Sequence, residues 1–127
     1  MAVKYRVIKK GQPGVPGGGA QKFYAATVNS GVQDIDALTR SIEKISTVSG
    51  ADIRAVIYAL TDVISNDLAQ GDIVRLGELG SLRVSISSDG FDDEKDVSAK
   101  AVRKARILFA PGTMLKNMIK TLKYTKA

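Results

Sequence analysis

A chain of 127 residues, 44% hydrophobic and 25% charged, is long enough for one cored domain and has globular, not disordered, composition. It has no cysteine and no histidine, which excludes disulfides, Cys/His zinc sites, thiol nucleophiles and histidine-based triads. The net charge of +6 is segregated, with +5 in residues 1–30, −4 in 31–80 and +5 in 81–127, and this map predicts a polyanionic partner.

Val3–Lys10 alternates and is rich in β-formers, which predicts a strand. Residues 11–20 (GQPGVPGGGA) read as a turn-rich connection and 22–30 as a second strand, so the two strands form a long-looped hairpin. The glycines lack the G-x-x-x-x-G-K-[ST] spacing of a phosphate-cradling loop. No apolar stretch of signal-peptide length opens the chain and no run reaches the ~20 residues of a membrane span, so a cytoplasmic protein is expected.

Residues 34–48 carry Ile35, Leu38, Ile42 and Ile45 at helical period, on an arc of about 80°. Ser49-Gly50-Ala51-Asp52 fits a capping box ahead of a second helix over 50–70, with Gly71 as its C′ residue. The apolar positions of this helix, from Ile53 to Leu68, span about 140°, a stripe wide enough to need a sheet or a second subunit beside its partner helix.

Residues 72–76 read as a short strand, 77–80 as a turn and 81–87 as a strand with Leu82, Val84 and Ile86 on a buried face and Arg83, Ser85 and Ser87 on a wet one. A polar excursion over 88–104 holds Asp89, Asp92, Asp93, Glu94 and Asp96. These acids lack the spacing of a calcium loop, and no motif organises a nucleophile, so neither metal, cofactor, small-molecule substrate nor enzymatic activity is expected. Residues 103–109 return as a strand. A last helix runs from Pro111-Gly112-Thr113 to about Lys123, and residues 123–127 are expected to fray.

Two blocks resemble the HU/IHF family of bacterial nucleoid DNA-binding proteins. Gly71-Asp72-Ile73-Val74-Arg75-Leu76-Gly77-Glu78-Leu79-Gly80-Ser81-Leu82-Arg83-Val84 looks like its G-x-x-V-x-L-x-x-F-G-x-F-x-V hairpin, with leucine at both phenylalanine positions. Phe109-Ala110-Pro111-Gly112-Thr113-Met114-Leu115-Lys116 looks like its F-x-P-G-K-x-L-K start of the last helix. The resemblance covers 31–127 and implies an α+β fold, helix-helix-strand-strand-arm-strand-helix, in an intertwined homodimer whose saddle and arms hold double-stranded DNA. Residues 1–30, an extra N-terminal β-hairpin, resemble the divergent HU-related branch with an added N-terminal segment. Gly77 and Gly80 would supply backbone angles that side chains resist in a tight turn.

The departures shape the expectation. The family's arm tip carries a proline that wedges between base steps. Here no proline lies between Pro16 and Pro111, and five carboxylates occupy the arm-equivalent excursion. Phe91 is expected to pack against its own turn and not to replace the wedge. Basic positions of the family's arm root fall on Ser85 and Ser87, and two of its lysines on Ala110 and Thr113. The cations left for phosphate contact are Arg83, Lys100, Arg103, Lys104, Arg106, Lys116 and Lys120. Aromatic residues are few and no base-reading element is evident, so a single-strand stacking platform is not expected and recognition should be largely independent of sequence. The chain therefore reads as a nucleoid-associated duplex binder that bends DNA less than ordinary HU. The alternative is an HU-folded protein-interaction module that has lost DNA binding.

Overall fold

The structure is a computed structural model that describes Met1 through Ala127. Its elements are β1 (Val3–Lys10), β2 (Lys22–Val28), α1 (Ile35–Ile45), α2 (Gly50–Ala69), β3 (Val74–Arg75), β4 (Gly80–Ser88), β5 (Val102–Pro111), α3 (Thr113–Lys120) and β6 (Tyr124–Lys126). The architecture is mixed α+β, three helices with two three-stranded sheets ordered β2-β1-β6 and β3-β4-β5. The chain divides into a terminal unit, Met1–Asp34 with Met118–Ala127, and a central unit, Ile35–Asn117.

In the terminal unit β1 and β2 pair antiparallel from Lys4↔Val28 to Lys10↔Lys22, the expected hairpin. The chain end departs from expectation. Residues 124–126 do not fray but add a parallel strand to β1, from Val3↔Tyr124 to Tyr5↔Lys126. The Val3 N–H donates to the Lys123 carbonyl and the Ala127 N–H to the Tyr5 carbonyl, each at 2.8 Å. The reason is the free edge of β1: its backbone groups need partners, and an extended segment of any composition satisfies them. The extra element is thus a three-stranded sheet and not a hairpin alone.

In the central unit α1 ends three residues before the predicted limit, and α2 follows the prediction within a residue. The Ser49 hydroxyl accepts the Asp52 N–H at 3.3 Å, and Gly71 follows α2 at φ +88°. Ser49→Ala is expected to lower unfolding stability by about 1 kcal/mol in urea denaturation, the cost of one orphaned helix N–H. Arg54 of α2 pairs with Asp36 of α1 at 3.1 Å, both well exposed, so the pair adds little. Thr39 is fully buried, with its hydroxyl donating to the Ile35 carbonyl at 2.6 Å.

The wide stripe of α2 divides lengthwise. Ile53 and Leu68 are buried and Ile57 and Ile64 half-buried, whereas Val56, Leu60 and Val63 stand open. At ~100° per residue these sets occupy adjacent arcs of about 60° each. The chain's own packing covers one half of the stripe only.

Two glycines set the base of the β3–β4–β5 sheet. Leu76 N–H donates to the Gly80 carbonyl at 2.7 Å, and Gly112 N–H to the Leu79 carbonyl at 3.0 Å. Gly80 has φ +143°, and a Cβ there would strike the Ala110 carbonyl and the Phe109 ring. A Cβ on Gly112 would strike the Glu78 carbonyl. The G-x-x-G turn and the Pro-Gly segment therefore interlock backbone to backbone.

β4 and β5 run antiparallel from Gly80↔Pro111 to Ser88↔Val102, with a bulge between Ser87 and Ser88. Residues 89–101 form a compact tip with two single 3-10 turns, over Glu94–Asp96 and Ala99–Ala101. Two of its five acids serve local structure: Asp93 accepts the Lys95 N–H at 3.3 Å, and Asp89 pairs with Arg103 at 3.3 Å. Phe91 is about half exposed. The division of the hairpin into two faces holds, but the face expected to be buried is open. Val84, Ile86, Ile107 and Phe109 are 40%, 59%, 63% and 49% exposed, because α2 packs only sparsely on β3 and β4.

Candidate nucleic-acid interface

The polar face of the β3–β4–β5 sheet follows from strand alternation and register. Directly opposed residues share a face, so Ser81 with Ala110, Arg83 with Leu108, Ser85 with Arg106 and Ser87 with Lys104 all point one way. Arg75 of β3 joins them through its pairing with Ser81. Each of these four successive rungs carries one cation: Arg75, Arg83, Arg106 and Lys104 in order. Rungs on one face are about 7 Å apart, close to twice the roughly 3.4 Å rise per nucleotide of one DNA strand. The face has the charge and spacing to follow a phosphate backbone.

Two shallow grooves mark it. One is bounded by Ser85, Ser87, Lys104 and Arg106. The other includes Arg75, Ser81 and Lys116. Neither is lined by an acidic side chain, so nothing in them opposes an anion. The Ser87 hydroxyl donates to the Lys104 carbonyl at 3.5 Å, while Ser81 and Ser85 add hydroxyl donors between the longer cations, a suitable lining for phosphate oxygens.

The seven cations singled out in the sequence are placed unequally. Arg83, Lys104 and Arg106 come together on this face, and Lys116 borders it. Arg103 falls at the bulge, where the register steps from Ser87↔Lys104 to Ser88↔Val102, and its guanidinium is engaged by Asp89. Lys100 lies in the last 3-10 turn of the tip, its N–H donating to the Ser98 hydroxyl at 3.3 Å. Lys120 ends α3 and belongs to the terminal unit. Sequence reasoning passed over Arg75. Its signal was available, since a two-residue strand paired to Ser81 puts position 75 on the polar side once the hairpin register is known.

No group of histidine, cysteine, aspartate or glutamate side chains converges as a metal site. No helix is long and apolar enough to cross a membrane.

No curated protein matches the chain in sequence. Among solved structures, the fold is similar to that of a candidate bacterial DNA-binding protein from Bacteroides vulgatus ATCC 8482, with a TM-score of 0.65 and 16% identity. The similarity covers 98% of this chain and 47% of that one, so the chain spans about half the length of this structural relative. Residues 1–126 match the family described as an HU domain fused to a winged helix-turn-helix, an immunoglobulin-like domain or a glycine-rich motif. With nearly its whole length matched, the chain is a member of this HU-related family.

Proposed function

We propose that the protein is a non-enzymatic, HU-like duplex-DNA-binding protein that holds phosphates on the polar face of β3–β4–β5. The observation that carries this reading is the row of Arg75, Arg83, Arg106 and Lys104, one cation per rung on an acid-free face. Membership of an HU-related family supports it, as does likeness of fold to a candidate bacterial DNA-binding protein. The contacts are to backbone and not to base edges, so binding is largely independent of sequence. The tip carries acids where ordinary HU carries a wedge proline, so bending is weaker. The protein acts on the nucleoid, in the cytoplasm. Residues 1–30 extend an HU-like domain over 31–127, as in the divergent branch of the family.

The working form is a homodimer. Within one chain only Ile53, Leu68 and Ala101 are buried apolar residues. The open half of the α2 stripe and the apolar face of β4–β5 are too extensive for a stable lone subunit, and a second copy offers matching surfaces.

The test is binding of a fluorescent ~30-base-pair duplex at about 50 and 200 mM salt. Eight face cations per dimer contribute about −7 to the slope of log affinity against log salt, a fall of about 10⁴ across this range from this face. R83Q/K104Q/R106Q removes six of the eight and should make the slope less negative by about 5. The second reading, a protein-interaction module, is favoured by the acidic tip. It prevails if the wild type shows no binding at the lower salt.

A further inference from the structure

The protein's positive charge is not where an HU-like domain alone would place it. The terminal unit holds eight basic side chains against one acidic, a net +7, while the central unit holds eleven against twelve, a net −1. The terminal unit therefore carries all of the chain's net positive charge, and none of its acids lies on β1, β2 or β6.

Register sorts these cations. Lys4 pairs with Val28, Arg6 with Ala26, Ile8 with Tyr24 and Lys10 with Lys22. Lys4, Arg6, Lys10 and Lys22 thus share one face, all exposed, with Tyr24 between them and the Lys10 ammonium 5.0 Å from its ring. Lys9 and Lys126 lie on the opposite face, the former over Phe23 and the latter beside Tyr5. Lys10 and Lys22 stand directly across from each other, a like-charge pair that costs stability. The ion pairs of the structure, Arg54–Asp36, Lys95–Asp93 and Arg103–Asp89, involve none of these four cations. A concentrated cationic face with an uncompensated Lys–Lys pair is what an external polyanion would relieve.

We infer that the Lys4, Arg6, Lys10 and Lys22 face of the β2-β1-β6 sheet is a second phosphate-binding surface for duplex DNA, separate from the polar face of β3–β4–β5. The inference rests on the duplex-binding reading above for the class of ligand. Its residues and its test are distinct.

The experiment compares charge-matched pairs in the full-length protein. R6Q/K10Q removes two cations from the proposed face, and K9Q/K126Q removes two from the other side of the same sheet. Both bind the same ~30-base-pair duplex across a salt series. R6Q/K10Q should make the slope less negative by about 0.9 per lost contact, near 1.8 per protomer, while K9Q/K126Q leaves it within half a unit of wild type. K22E serves as a folding control with an opposite signature. It replaces the like-charge pair with an attractive one, so the melting temperature should rise by about 1–4 °C while affinity drops at least tenfold. Equal effects of the two doubles, or no effect of either, overturns the inference. So does a K22E protein that binds like wild type. If R83Q/K104Q/R106Q loses salt-dependent binding and R6Q/K10Q does not, this surface fails and the central face stands. The converse leaves the terminal sheet and removes the central face. A wild type that binds no duplex at 50 mM removes both.

Discussion

Ile107→Asp is expected to turn the proposed homodimer into a poorly stable monomer. Ile107 lies opposite Val84 on the apolar face of β4–β5 and is 63% exposed within its own chain. In a lone subunit an aspartate at such a place changes stability by no more than about 0.5 kcal/mol. In a dimer that covers this face the same aspartate becomes a buried, unpartnered charge, costing about 3–5 kcal/mol per protomer. The difference between these values separates the two states. Sedimentation velocity at low micromolar concentration should give a single dimeric species for wild type and a monomer for the variant, with a large fall in the urea midpoint. Arg83→Asp, on the other face of the same strand, should stay dimeric and lose DNA affinity instead. A dimeric Ile107→Asp protein of unchanged stability would show that the apolar face is not the interface.

Gly80→Ala should cost about 2–6 kcal/mol. The φ of +143° belongs to a region almost closed to side chains, which contributes about 1–3 kcal/mol. The new methyl would also press on the Ala110 carbonyl and the Phe109 ring, an overpacking cost of about 1–3 kcal/mol. Against a usual domain stability of about 5–15 kcal/mol this removes a large share. Gly90→Ala is the control: nothing lies within 4 Å of its would-be Cβ, so its midpoint should hardly move. Equal midpoints for the two variants would show that the turn has room to relax. Gly80 also begins the strand that carries Ser81 and Arg83, so its loss should reduce DNA affinity together with stability.

Both effects come from neighbours distant in sequence, yet the residues involved were marked by local pattern. Helical period located α1 and α2, Ser49 gave the start of α2 and Gly71 its end. Alternation in 81–87 assigned Leu82, Val84 and Ile86 to one face and Arg83, Ser85 and Ser87 to the other. The glycines at 77 and 80 announced positive φ. These features are legible because each is fixed by a residue and its near neighbours, through dihedral preference, capping and side-chain period.

What the sequence by itself determined was therefore the kind and order of the elements as far as α3 and the polarity of each strand face. Pairing was decided only by the tertiary structure. Tyr124–Lys126 has no strand period and becomes a strand because β1 has a free edge beside it. The run from Lys100 to Arg106 looks uniform in sequence, but a tip turn, a bulge and an Asp89 partner leave only Lys104 and Arg106 on the polar face. Arg75 joins that face, and Lys10 meets Lys22, through registers that no local pattern encodes. Local preference acts over a few residues, whereas the site is assembled across three paired strands, and a shift of one residue in register would turn the cations of a strand to the other side.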